Sequence, residues 1–189
     1  MKKNTNTKKG KIAEFSIALF FILLGVSSRL LPHPANFSPI MAIALFSGVY
    51  FSKKISLIIP LVAMFISDIF IGFYQVNLMA FVYGSFLLCV ILGFWLKKHK
   101  KWYLILSGSL VGSLTFFLLT NFSVWAFTSW YAKTLSGLSQ CFLMALPFFK
   151  NTLLGDLSYV IIFFGLYELA EILIKRKFAI KEELALSSN

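Results

Sequence analysis

Eight polar side chains lie in or beside runs that are otherwise apolar: Arg29, His33, Asn36, Asp68, Tyr83, Asn121, Asn151 and Asp156. Together they offer both signs of charge, hydrogen-bond donors and hydrogen-bond acceptors. That chemistry suits the capture of a small polar solute. It does not suit an enzyme, because no arrangement of nucleophile, base and oxyanion donors can be read from these residues. The sequence has no GxxxxGK[ST] to cradle the phosphates of ATP, and no HExxH, GxSxG or CxxC. A single histidine beside two aspartates is a weak metal signal, so neither a metal nor another cofactor is expected.

Arg29, His33 and Asn36 fall within Ser28–Ile40, SRLLPHPANFSPI, where an apolar helix gives way to a polar segment. Prolines at 32, 34 and 39 remove three backbone donors and push each preceding residue out of the helical region. An ordered turn at the membrane surface is therefore expected, holding the three polar side chains in fixed directions. The plainer reading is a snorkelling helix end followed by a solvated loop.

The elements that must position these residues are membrane helices. With 59% hydrophobic residues and a mean hydropathy of +0.83, the 189-residue chain holds several runs near the length that crosses a bilayer. The expected fold class is an all-α membrane protein of about six transmembrane helices, the second one short. Residues 1–11 form a basic tail, 12–174 a single helical domain and 175–189 a second tail. Spans are expected over Ile12–Leu31, Ile55–Phe73 with a kink at Pro60, Leu78–Leu96, Tyr103–Phe122 and Thr152–Ile174. Phe37–Phe51 is too short to cross, and 125–150 is expected to lie in the interface or dip into it.

The net charge of +11 is carried in short clusters between apolar runs, which argues against nucleic acid as a partner. With the amino terminus inside, 15 basic residues fall on the cytoplasmic side and 3 outside. By the positive-inside bias both termini are then cytoplasmic. The expected location is a membrane crossed several times, with the amino terminus on its cytoplasmic side. In this layout Asp68 lies about 8 Å below the outer surface and Asp156 about 6 Å below it. Arg29, Tyr83, Asn121 and Asn151 share their layer. Ionisable groups at such depth are costly unless paired, hydrated or facing a cavity, so the layer is the candidate site.

Structural roles compete with that reading. Arg29 could pair with Asp68 or Asp156 as helix glue. Asn151 could cap the last helix. Glu14, Glu168 and Glu171 read as interfacial ion pairs, with Glu171 and Lys175 at i, i+4 spacing. Gly108, Ser109, Gly112 and Ser113 read as a packing stripe.

SRLLPHPANFSPI, followed by SDIFIGF, LLTNFSVWAF and ALPFFKNTLLGDL, resembles a family of small bacterial membrane proteins grouped as transport proteins of uncharacterised function. More distantly, the six short helices and the external polar layer look like the substrate-binding S components of energy-coupling-factor vitamin transporters. That resemblance implies an S-component-like bundle working with an ATPase module and a transmembrane coupling subunit. Many S components carry an AxxxA-like docking pattern in the first helix, whereas Ala13 and Ala18 have a different spacing. The nearest substitute for partner docking is Ala44 with Gly48. A solute-binding subunit is the first functional expectation, a structural or assembly subunit the alternative, and a stand-alone secondary carrier the second alternative.

Overall fold

The computed structural model describes the backbone of residues 8–187 and the side chains of residues 10–177. Six helices follow one another: α1 (Lys8–Leu30), α2 (Ile40–Tyr50), α3 (Lys53–Ile71), α4 (Val76–Leu96), α5 (Trp102–Phe127) and α6 (Leu135–Ser187). All but α2 are long and apolar enough to cross a membrane. The protein is thus an all-α membrane protein.

Helix α2 is the hub. Its 11 residues span about 16 Å, roughly half of a hydrocarbon core, and Ile40–Val49 are all buried. It touches each of the other five helices. An apolar helix with no polar face is stable only when protein covers it on every side, and α2 meets that condition. Its contact with α4 is backbone to backbone. A Cβ on Gly48 would lie 2.3 Å from Val90 O, and one on Gly93 would lie 2.6 Å from Leu45 O. Ala44 is fully buried too. The expectation that Ala44 and Gly48 dock a partner is therefore corrected: the small size of Gly48 serves the α2–α4 contact, and neither residue presents surface.

Pro60 lies inside α3 and cannot donate to Ser56 O, one turn earlier. The freed carbonyl instead receives the hydroxyl of Ser47 from α2, at 3.1 Å. A neighbouring helix thus repairs the break, as proline in a membrane helix requires.

At one end of the bundle the α2–α3 junction meets three other elements. Glu14 accepts the Ser52 N–H at 2.6 Å, Lys97 Nζ donates to Phe51 O at 3.0 Å, and Tyr50 donates to Glu168 at 3.4 Å. Lys100 Nζ sits 4.2 Å from the centre of the Tyr50 ring. Burial there lowers the Lys100 pKa, against the opposing charges of Glu168 and Glu171. Of the three expected ion pairs, Glu171 with Lys175 forms at 2.7 Å. Glu14 and Glu168 instead satisfy a backbone amide and a phenol.

The second half of the chain departs from expectation. Helix α5 runs on to Phe127, and after a short turn α6 continues from Leu135 without interruption through Pro147. The interfacial segment expected over 125–150 and the helix start at Thr152 are thus replaced by one long helix. Asn151 is helix interior, not a cap. Cys141 and Cys89 are both buried and free. Much of the apolar surface of α6 faces outward, with Leu143, Met144, Leu154 and Leu166 all about half exposed or more. Its polar carboxyl-terminal part continues as helix to Ser187.

Gly48→Ala is expected to force α2 off α4 and to lower the melting temperature sharply in detergent. Gly84→Ala, where an added Cβ meets nothing within 4 Å, is expected to leave it unchanged or slightly raised.

Candidate functional site

Because α2 is short, the chain must pass from the end of α1 to its first residue as irregular backbone. Leu31–Pro39 makes that descent. Pro34 O accepts the Phe37 N–H at 3.0 Å, closing a turn with Asn36 at φ 64°. Asparagine tolerates that left-handed conformation better than most residues. Helix α6 holds the segment in place: Asn151 Nδ2 donates to Ala35 O at 3.0 Å, and the Phe37 and Tyr159 rings lie 5.7 Å apart. Gly155 permits the approach, since a Cβ there would stand 3.3 Å from Phe37 Cα.

Above the buried helix and beside this segment lies a cavity of about 440 Å³. Arg29, His33, Asn36 and Asp156 line it, with Tyr74, Thr152 and Ser38. Its apolar walls include Ile40, Met41, Phe86 and Phe116. Non-helical backbone at membrane depth is tolerated where it lines such a cavity.

Arg29 is paired with Asp68, not Asp156. Nη1 lies 2.8 Å from Asp68 Oδ1 and also donates to Ser67 Oγ and, at 3.3 Å, to Met64 O. Asp68 is fully buried, and its second oxygen accepts the Tyr83 hydroxyl at 2.7 Å. Asp68 and Tyr83 therefore stand behind the cavity wall and position Arg29. The guanidinium reaches Oδ1 as an ion contact without an aligned hydrogen bond. Tyr74, in the turn after α3, has its pKa pushed up to about 12, mainly by burial and then by the negative charge of Asp68. It is a neutral hydroxyl at physiological pH.

Asp156 lies deeper than the sequence suggested. Ser113 donates to its Oδ2 at 2.6 Å. Ser113 is about 16 Å along α5 from Trp102 and about 21 Å from Phe127. The carboxylate is therefore near the middle of the bundle, 2% exposed. The expected single outer layer becomes a funnel, with His33 and Asn36 at its mouth and Asp156 at its floor.

Besides Asp68 and Tyr83, two more expected site residues, Asn151 and Asn121, do not line this cavity. Asn151 is spent on Ala35. Asn121 donates to Phe117 O at 2.8 Å and borders a smaller cavity of about 210 Å³. The two cavities share Asn36, Phe116 and Thr152. Ser67, Tyr74, Ser113 and Thr152 were not singled out as site residues. Thr152 and Asp156 are i, i+4 on one helix, a spacing already present in the expected span Thr152–Ile174. His33 Nδ1 lies 2.7 Å from Leu31 O, so that nitrogen carries a proton. Among the described residues no group of three or more His, Cys, Asp or Glu is placed to hold a metal ion.

Arg29→Gln strands a buried carboxylate and is expected to destabilise the protein by about 3 kcal/mol. Arg29→Gln with Asp68→Asn is expected to recover most of that loss in thermal unfolding, a coupling that a double-mutant cycle measures.

The model of a family of unknown function (DUF6580) matches residues 9–180. No curated protein and no solved structure matches the chain. Since the family match spans all six helices, with only the outermost residues of α1 and α6 beyond it, the chain belongs to this family of unknown function.

Proposed function

We propose that the protein is the solute-binding subunit of a membrane uptake system, taking a small, vitamin-like or other micronutrient solute from outside the cell. One observation carries the reading: the cavity of about 440 Å³, which combines apolar walls with Arg29, Asn36, Tyr74 and Asp156. That volume lies within the range of small-molecule sites, and a few convergent polar groups on apolar walls are what such sites use for orientation. The chain is not read as an enzyme.

The orientation follows from charge. The clustering of Glu14, Ser52, Lys97, Lys100 and Glu168 at one end of the bundle agrees with the alternation that puts the basic loops together. With the positive-inside bias, that end and the amino terminus are cytoplasmic and the funnel opens outward. The membrane is then a bacterial cytoplasmic membrane. The first helix packs on α2 and α3 and meets α6 through the Phe21 and Phe163 rings, while Phe15, Phe20 and Leu23 stay exposed to lipid or a neighbour.

Concentrating a scarce solute needs a free-energy source, and the chain has no nucleotide-binding loop. The partners proposed are an ATPase module and a transmembrane coupling subunit, as in the S-component systems that the helix number and external opening resemble. A second reading is favoured by the depth of Asp156: a carboxylate near mid-bundle is the kind of group that couples solute movement to a cation gradient.

Native mass spectrometry of the purified protein is expected to reveal a retained small molecule. Reconstituted alone in liposomes, the protein is expected to bind that molecule saturably without accumulating it, and to accumulate it once the ATPase module and coupling subunit are added. Accumulation by the lone protein under a sodium or proton gradient decides for the second reading. Cysteines placed at Asn36 and Ser136 are expected to react with an impermeant thiol reagent in intact cells, and one at His99 to stay unlabelled.

A further inference from the structure

The two charged groups that line the funnel are not equivalent. Arg29 already has its counter-charge in Asp68, 2.8 Å away. Asp156 has none. No described lysine, arginine or histidine forms an ion pair with it. Its one hydrogen bond, from Ser113, is to Oδ2, while Oδ1 is bonded by no described residue and is not enclosed. Arg29 and Asp68 cancel, so Asp156 is the acid at the floor of the funnel that no described cation balances. A carboxylate near mid-membrane is costly unless something pairs with it, and the cavity is the open side.

The surroundings choose among cations. A small metal ion needs about six oxygen ligands, whereas the side chains lining the cavity offer one carboxylate, Asp156 itself, and the hydroxyls of Ser38, Tyr74 and Thr152. The walls are instead Ile40, Met41, Phe86 and Phe116. Aromatic faces attract an organic cation through their quadrupoles, and apolar walls cover its carbon frame. Resting on the binding-subunit reading above, we propose that the solute is an organic cation, a protonated amine or positively charged nitrogen heterocycle, whose nitrogen is held by Asp156 with its apolar part against Phe86 and Phe116. Thr152, one turn before Asp156 on α6, lines the same side of the site.

Three probes of one ring size and different charge test this: benzylamine, benzyl alcohol and benzoate, each added at neutral pH to the purified protein during thermal unfolding. A ligand that binds only the folded state raises its melting temperature. Benzylamine is expected to raise it by about 2 °C or more at a concentration where the other two do not. Asp156→Asn, which keeps the shape and the Ser113 contact, is expected to abolish that shift. The small molecule released from native wild-type protein, which needs no variant, is expected to be positively charged. A larger shift with benzoate or benzyl alcohol, a benzylamine shift that survives Asp156→Asn, or a released solute that is neutral or anionic overturns the cation assignment and leaves the binding subunit standing. A shift produced equally by sodium ions and lost in Asp156→Asn also overturns it. No shift with any probe and no released molecule overturns both.

Discussion

The length of α2 is the constraint on which the structure depends. Eleven residues cannot cross a bilayer, and a chain that enters membrane depth without a helix must cover its backbone or wet it. The protein does both. Five longer helices wrap α2, and the segment leading to it borders a cavity. The cavity is thus a consequence of the incomplete helix: it occupies the space that a second half of α2 would have filled.

Two kinds of polar contact serve that arrangement. Some are repairs. Ser47 caps the carbonyl that Pro60 leaves open, and Glu14 and Lys97 satisfy backbone groups at the α2–α3 junction. Others define the funnel. Asp68 receives Arg29 on one oxygen and Tyr83 on the other, fixing a guanidinium at the wall. Both kinds follow one rule, that a polar group in this environment needs a partner. Asp156, with a single donor among the described residues, departs from it, and exceptions to such a rule are where function is sought.

The difference between Arg29 and Asp156 also bears on energetics. A paired arginine contributes to helix association, while a carboxylate open to a cavity contributes little stability of its own. Selection for stability alone would pair or remove it. It shares its cavity with Phe86, Phe116 and Thr152.

Class, helix number and the break in helix between Leu30 and Ile40 were legible in the sequence, because apolar run length, proline and lysine act locally. Arg29, His33, Asn36 and Asp156 were identifiable for the same reason: a polar residue in an apolar run is visible without knowing its neighbours. What belonged to tertiary structure was pairing and depth. Arg29 had two possible carboxylate partners, and only the contact of α1 with α3 selects Asp68. Asn151 looked like a helix cap because Pro147 and the polar residues after it resemble a boundary, yet α6 runs straight through them. That continuity places Asp156 near mid-bundle. Gly48 and Ala44 looked like a docking surface because small residues at that spacing serve any close helix contact, and sequence spacing does not say whether the contacting helix is another protein's or the chain's own α4.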